Sequence, residues 1–153
     1  MILTDLLDGR GVEFRTAATK AQAMSALAEV AARLIGVTPD AALDALLARE
    51  AVGSTGVGSG VALPHARLDA LERMHGVFVR LDAPVPYDAV DDQPVDLLFA
   101  LFAPMDAGAE HLRALARVSR LLRSAELRSQ LRAARSPDAV FALLAQEARP
   151  SAA

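Results

Sequence analysis

The sequence contains no cysteine and almost no lysine. The absence of cysteine from all 153 residues excludes disulfides, zinc–thiolate centres, iron–sulfur clusters and cysteine nucleophiles. Because a chain without disulfides suits a reducing compartment, we expect a cytoplasmic protein. Of the 16 basic residues, fifteen are arginine and only Lys20 is lysine. The formal net charge is −3 and the pI about 5.6, which argues against a general nucleic-acid role, since binding phosphate backbones requires a basic surface.

Long hydrophobic runs are also missing. The longest uninterrupted apolar stretch with strand character, 97–103, has seven residues, whereas a membrane-spanning helix needs about 20. The amino terminus carries Asp5 and Asp8 where a secretory signal carries positive charge. We therefore expect neither an integral membrane segment nor a signal peptide. The length suits one compact domain over 1–148, and we expect a disordered tail over 149–153.

The spacing of apolar residues predicts helices that alternate with strands. Residues 19–35 place alanine, leucine and valine three and four apart, with Thr19 as the cap. A second helix is predicted from Pro39, capped by Thr38, to Glu50. Because helices and strands interleave, the predicted fold class is α/β, with a mixed central β-sheet sandwiched by helices. The further predicted elements are strands over 76–81 and 95–103, the second of them buried and central, and helices over 109–123, over 127–134 and from Pro137, capped by Ser136.

Two stretches carry opposite charge. Six aspartates lie between Asp82 and Asp106 in a segment without lysine or arginine, whereas residues 108–135 contain seven arginines and two glutamates. We interpret both stretches as solvated faces, with docking surfaces for partner proteins as the alternative. In the helix over 109–123, arginines occupy one face and the predicted apolar face consists of Leu112, Leu115, Val118 and Leu122.

Residues 53–60 form the one glycine-dense stretch of the chain. Nucleotide-binding glycine loops lead directly into a helix, but here Pro64 follows a short strand-like segment and blocks a helix at that point. The triplet 58–60 is not a hydrolase nucleophile elbow, because it too leads into a strand. The three histidines lack the paired spacing of metal ligands, so we expect no metal and no cofactor. Composition alone favours a mobile surface turn.

His65 changes this interpretation. It follows a rigid Leu63-Pro64 step at the end of a short strand, beside a loop rich in backbone N–H groups, and this position suits a nucleophile. His75 precedes a strand and is interpreted as a surface residue. His111 opens the arginine-rich helix, where backbone N–H groups and the helix dipole favour anions.

Together these residues resemble a known phosphorylation site. The segment Arg49-Glu50 and the stretch GSTGVGSGVALPH over 53–65 closely resemble the site of the fructose/mannitol-type IIA domains of the bacterial phosphotransferase system. The resemblance covers nearly the whole chain. It is sharpest for the nitrogen-regulatory branch, through DDQPVDL over 91–97 and AGAEHLRALARVSRLLR over 107–123. Ser59 departs from the family, where asparagine or an acidic residue is frequent, and Ala66-Arg67 replaces the Gly-Lys or Gly-Thr that often follows the histidine.

The resemblance implies a role for each site residue. His65 would accept a phosphoryl group from a small HPr-like phosphocarrier protein, with Arg49 and His111 beside it. Ser54, Thr55 and the N–H groups of the surrounding loop would stabilise the phosphate, and no metal would be needed. Such a protein is a phosphoryl carrier rather than an enzyme that turns over a small molecule.

Three functions remain open at this stage. In the nitrogen-regulatory branch, phosphorylation decides which regulatory target proteins are bound, possible targets being sensor kinases and transporters. In sugar-specific IIA components the phosphate passes on to a IIB partner. A binding module that keeps the fold but takes no phosphate is the third alternative. The predicted function is regulatory, because 153 residues hold no fused IIB, IIC or carrier segment.

Overall fold

The computed structural model describes residues 3–147, which form a six-stranded mixed β-sheet with helices on both faces. The predicted α/β class and mixed central sheet are confirmed. A short 3-10 helix, Leu3–Asp5, precedes the first strand. The elements are β1 (Leu7–Arg15), α1 (Lys20–Ile35), α2 (Pro39–Glu50), β2 (Gly56–Gly58), β3 (Val61–Ala62), β4 (His65–Arg67), β5 (His75–Val85), β6 (Val95–Ala103), α3 (Gly108–Leu122), α4 (Ala125–Ala133) and α5 (Pro137–Glu147).

The strand β6 is the centre of the sheet. It pairs antiparallel with β5 on one side and parallel with β3 and β4 on the other, while β1 pairs parallel with β5 and β2 pairs antiparallel with β3. Val61 lies opposite Leu97 and His65 opposite Leu101, so β3 and β4 keep one register along β6. The two are one strand interrupted at Leu63-Pro64, because proline has no N–H to continue the ladder.

Each face of the sheet carries its own hydrophobic core. Successive side chains of a strand point to opposite faces, so Leu98, Ala100 and Phe102 of β6 pack against α1 and α2, whereas Leu97, Phe99 and Leu101 pack against α3, α4 and α5. Every apolar side chain of β6 is buried, as predicted for a central strand. The sheet therefore holds α2 and α3 at fixed positions on opposite faces.

The predicted helix caps are present. The hydroxyl oxygens of Thr19, Thr38 and Ser136 accept hydrogen bonds from backbone N–H groups three residues later, at 3.1 Å in each case. Gly36 ends α1 in the left-handed conformation, with a φ of 71°. The cap at Thr38 and Pro39 at the first helical position fix where α2 starts, and hence where Arg49 and Glu50 lie at its other end.

The structure differs from the sequence predictions in several places. β1 was not predicted, β2 lies inside the stretch interpreted as a mobile turn, and β5 runs through Pro84 to Val85, where the pairing with β6 shifts register and tolerates proline. His75, interpreted as a surface residue, is the half-buried first residue of β5. Leu112 is 67% exposed, because α3 turns His111, Ala114, Val118 and Leu122 inward instead. The predicted tail over 149–153 lies outside the described residues.

Among residues 3–147, no helix is both long enough and apolar enough to cross a membrane.

The central strand gives a first test. Phe99 is fully buried and meets Phe78 edge to face, with ring centroids 6.2 Å apart. Phe99→Ala should lower the free energy of unfolding by about 3–5 kcal/mol, measured by urea denaturation, because the site collapses only partly around the lost ring. Val90→Ala, at a side chain that is 80% exposed, is the control and should change it by less than about 0.5 kcal/mol. Equal effects would contradict the burial described for β6.

Candidate active site at His65

The hydrogen bonds of His65 define which ring nitrogen can react. Nδ1 lies 2.9 Å from the carbonyl oxygen of Leu63, and Nε2 lies 3.1 Å from Nε of Arg49. A carbonyl oxygen can only accept and a guanidinium can only donate, so the neutral ring carries its proton on Nδ1 and presents a lone pair at Nε2. Nε2 is therefore the nucleophilic atom of the ring.

The surroundings favour the neutral form of His65. Partial burial is the main cause that lowers the pKa of His65 below its usual 6.5, and the positive charge of Arg49 lowers it further, against the opposing effects of the Leu63 carbonyl and of Glu50. The imidazole is thus largely neutral at pH 7, with its Nε2 lone pair available.

Arg49 places a positive charge beside that lone pair. It lies in the last turn of α2, and its Nη1 donates to the carbonyl oxygen of Gly53 at 2.9 Å while Nε donates to His65. The side chain is thus held between the start of the glycine-rich loop and the imidazole. A guanidinium in this position can move its hydrogen bonds from the imidazole to incoming phosphoryl oxygens.

His111 lies against His65 with no hydrogen-bond partner of its own. It is the fourth residue of α3, it is 4% exposed, and its ring centroid is 5.3 Å from that of His65 at an interplanar angle of 80°. Among the described residues, neither ring nitrogen has a hydrogen-bond partner. Burial is the main cause that lowers the pKa of His111 to about 4, with smaller effects from His65 and Arg67. A buried neutral imidazole has one N–H to donate, so the site lacks one acceptor.

The loop before His65 is a tight hairpin made by β2 and β3. Ser59 occupies its turn with a φ of 57°, in the left-handed region where glycine, asparagine and aspartate are favoured. Gly56 is required by close approach, since a Cβ there would lie 2.6 Å from Cβ of Ala89. Arg132 fixes the turn from α4, donating to the Ser59 carbonyl oxygen at 2.8 Å and forming an ion pair with Asp96.

The backbone N–H groups of this hairpin are largely used within the fold. The N–H of Thr55 donates to Glu50, that of Gly56 to the Ser54 hydroxyl, and that of Ser59 to Asp91. The resemblance to the family implies that these groups bind phosphate. In this conformation three of them are already hydrogen-bonded, because the hairpin needs them to hold its own shape.

A buried carboxylate holds the hairpin to the helices. Glu50 Oε1 accepts from the Thr55 N–H at 2.8 Å and lies 2.9 Å from Nζ of Lys20, and Oε2 accepts from the Thr55 hydroxyl at 2.6 Å. Since that hydroxyl donates to Glu50, it accepts from the Tyr87 hydroxyl, 3.0 Å away. Lys20 also lies over the Tyr87 ring, 4.4 Å from its centroid. Four segments of the chain thus converge on one carboxylate next to Arg49.

The structure brings the residues singled out in the sequence into one region. Arg49, His65 and His111 line one cavity of about 430 Å³, and Arg49, Ser54, Thr55 and His65 line an adjoining one of about 320 Å³. The hydroxyls of Ser54 and Thr55 are hydrogen-bonded to the Tyr87 carbonyl oxygen and to Glu50.

Sequence reasoning missed Lys20 and Tyr87, although each is the single residue of its type in the chain. It also missed that Leu112 and Leu115 line the cavity. No group of three or more potential metal ligands occurs within residues 3–147.

The buried carboxylate can be tested by stability. Glu50→Ala should lower the free energy of unfolding by about 3–5 kcal/mol, because Lys20 and both donors of Thr55 lose their acceptor in a buried setting. Guanidinium denaturation measures the change. Asp44→Ala, an exposed carboxylate on the same helix, is the matched control and should stay within about 0.5 kcal/mol. A loss from Glu50→Ala as small as that of the control would contradict the network.

The pKa of His111 makes stability depend on pH. The unfolded chain takes up this proton near pH 6.5 and the folded chain only near pH 4, so in this window the unfolded state binds more protons and stability falls as pH falls. The wild type should therefore lose more free energy of unfolding than His111→Gln between pH 6.5 and pH 4, measured by urea denaturation at each pH. Parallel curves for the two proteins would show that His111 titrates normally in the folded state.

The chain is similar to proteins of one family. A sequence model of the family described as "Phosphoenolpyruvate-dependent sugar phosphotransferase system, EIIA 2" matches residues 5–147. The nitrogen regulatory protein of Bradyrhizobium diazoefficiens is 49% identical over 127 residues, which cover 83% of this chain and 83% of that protein. The nitrogen regulatory protein of Escherichia coli K12 is 41% identical over 128 residues, which cover 82% of this chain and 78% of that protein.

The fold is similar to a solved structure of the same kind. The crystal structure of the nitrogen regulatory protein IIA-Ntr from Neisseria meningitidis matches with a TM-score of 0.86 and 31% sequence identity, over 93% of this chain and 98% of that one. The resemblance found in the sequence is confirmed, and the chain belongs to the EIIA type 2 family of the phosphoenolpyruvate-dependent sugar phosphotransferase system.

Proposed function

We propose that the protein is a phosphoryl carrier of the nitrogen-regulatory branch, in which His65 accepts a phosphoryl group from an HPr-like phosphocarrier protein. The observation that carries the proposal is that a nucleophilic nitrogen, Nε2 of His65, lies next to a histidine, His111, whose N–H has no acceptor among the described residues. Nε2 of His65 presents its lone pair beside Arg49, and the buried His111 next to it has no acceptor among the described residues. A phosphoryl group on Nε2 would bring oxygens to both partners.

Transfer between two histidines needs alignment more than covalent chemistry. The Nε2 lone pair of His65 forms the new N–P bond as the N–P bond of the donor phosphohistidine breaks, and the bonding electrons return to the donor nitrogen. His65 keeps its Nδ1 proton, which remains bonded to the Leu63 carbonyl oxygen, so no base is required. The Leu63 contact also fixes the ring plane, which directs Nε2 into the cleft.

Arg49 and His111 stabilise the negative charge on the phosphoryl oxygens. The Arg49 guanidinium exchanges its bond to Nε2 for bonds to the phosphoryl oxygens, and the neutral His111 donates its single N–H. Ser54 and Thr55 line the same region, and we predict that they also help to hold the phosphate. In the unphosphorylated protein their hydroxyls donate to the Tyr87 carbonyl oxygen and to Glu50. The chemistry uses groups of the protein alone, so transfer from a purified phosphocarrier should continue in the presence of a chelator.

The proposed role is regulatory and cytoplasmic. A phosphoryl group adds roughly two negative charges to a cleft that is otherwise cationic, and such a change is large enough to alter which partners bind. The targets we propose are regulatory proteins such as sensor kinases or transporters. The relatives named nitrogen regulatory protein support this choice over sugar transport.

Variants of two histidines, His65 and His75, test the assignment. Incubation with the purified ³²P-labelled phosphocarrier should label the wild type and His75→Ala, whereas His65→Ala should take up no label because the acceptor atom is gone. His75 is the matched control, since it is a half-buried histidine at the start of β5, which pairs with the other side of β6. Label on His65→Ala at the wild-type level would end the proposal.

Variants of the supporting residues test the mechanism. Arg49→Gln and His111→Gln should each slow the rate of labelling about 10- to 1000-fold while leaving the fold intact, because each removes one stabilising donor. Rapid-quench measurements give the rates. Unchanged rates in both variants would remove these residues from the mechanism, and passage of the label from the wild type to a sugar-specific IIB protein would move the function to sugar transport.

A further inference from the structure

A continuous groove extends from the active site along α3. The cavity at His65 shares Arg49, His65 and Leu115 with the next cavity, and that one shares Val57 and Ser119 with a third of about 400 Å³. The groove therefore runs between α3 and the hairpin of β2 and β3.

The far end of the groove is formed by Arg123 and Arg128. Since α3 advances about 1.5 Å per residue, the twelve steps along the chain from His111 to Arg123 span roughly 18 Å. At about 3.3 Å per residue, this length accommodates an extended segment of about five residues.

The charge of the groove is opposite to that of the chain. Its described lining contains four arginines, Arg49, Arg67, Arg123 and Arg128, and no aspartate or glutamate, although the chain as a whole carries a net charge of −3. Other arginines have internal counter-charges, as Arg132 has in Asp96 and Arg15 in Glu13 and Glu29. Within residues 3–147, no such ion pair forms at the groove arginines.

The end of the groove is also preorganised. Nη1 of Arg128 donates to the carbonyl oxygens of Leu122 and Arg123, at 2.9 Å and 2.7 Å, which fixes its guanidinium at the carboxyl end of α3. Between the cationic ends, apolar side chains of Val57, Leu63, Leu115 and Ala116 line the groove beside the hydroxyls of Ser54, Thr55 and Ser119, and Val57 is 48% exposed. Leu112, at the active-site end, is 67% exposed. An apolar middle with charged ends is typical of a protein interface.

We infer that this groove binds an acidic, partly apolar segment of a partner protein while His65 is unphosphorylated. Carboxylates of the segment pair with Arg123 and Arg128 at one end and approach Arg49 at the other, and its apolar side chains cover Val57 and Leu112. The inference rests on the proposed function in one respect: a phosphoryl group on His65 places negative charge where the segment ends, and repulsion weakens binding.

A synthetic peptide tests the groove without any phosphorylation. The probe is a fluorescein-labelled peptide of about eight alternating glutamate and leucine residues, and fluorescence anisotropy at low salt measures its binding to the full chain. The wild type should bind it about fivefold or more tightly than the matched glutamine and leucine peptide. Arg123→Ala should weaken binding about threefold, and Arg123→Ala with Arg128→Ala should remove most of the difference.

Two controls separate the groove from a general charge effect. Arg123 makes no hydrogen bond or ion pair with its side chain among the described residues, so its removal leaves the fold intact, and thermal melts of the double variant exclude unfolding. Arg120→Ala removes the same charge three residues earlier, in the last turn of α3 and outside the groove lining, and it should leave peptide affinity within about 1.5-fold. Equal affinity for both peptides, an equal effect of Arg120→Ala and Arg123→Ala, or tighter binding of a single-stranded oligonucleotide would each overturn the inference.

The switch is tested separately. His65→Glu puts a carboxylate at the active-site end of the groove without any phosphoryl transfer, and it should weaken the glutamate peptide at least threefold relative to His65→Gln. Equal affinities of the two variants would contradict the repulsion. If the wild type failed to accept phosphate, the proposed function would be contradicted. The peptide measurements would still show whether the groove binds an acidic segment.

Discussion

The geometry of the candidate active site depends on the interactions of the buried Glu50 carboxylate. It joins Lys20 at the start of α1, the end of α2, Thr55 at the start of the hairpin and Tyr87 in the connection after β5. A carboxylate out of water is stable only when its oxygens are bonded, so the hairpin and both helices must meet in one arrangement. That arrangement places Arg49, the neighbour of Glu50, against Nε2 of His65. The position of the cationic group is therefore set by a structural ion pair beside it.

Much of the fold could be predicted because its signals are local. Thr19, Thr38 and Ser136 cap their helices within three residues, and the apolar run of β6 marks a strand that is buried on both faces. β1 could not be predicted in this way. Its sequence carries Gly9, Gly11 and four charged residues, and it becomes a strand through pairing with β5, more than sixty residues away along the chain. Such pairing depends on tertiary structure, so the strand propensities of the residues in β1 do not predict it.

The site likewise has residues with a local sequence signal and residues that come together only in the folded chain. The motif before His65 and the resemblance it carries identified Arg49, His65 and His111, which the structure brings together. Two members of the Glu50 network, Lys20 and Tyr87, are 30 and 37 residues away from Glu50 in the chain, and no periodic pattern links them to it. Leu112 was placed in the core because leucines recur at helical spacing, but the inward face of α3 is set by His111, which is polar. A purely hydrophobic pattern fails at a buried polar residue on a helix, and here that residue, His111, lies against His65.

We propose that the tautomer of His65 decides the chemistry: with Nδ1 committed to the Leu63 carbonyl oxygen, phosphate can be accepted only at Nε2. ¹⁵N and ³¹P NMR of the uniformly ¹⁵N-labelled, phosphorylated protein identifies the modified nitrogen directly. The account predicts one phosphohistidine, at position 65, with phosphorus coupled to Nε2 and a proton retained on Nδ1. Phosphorus coupled to Nδ1, or a phosphohistidine at position 75 or 111, would contradict it.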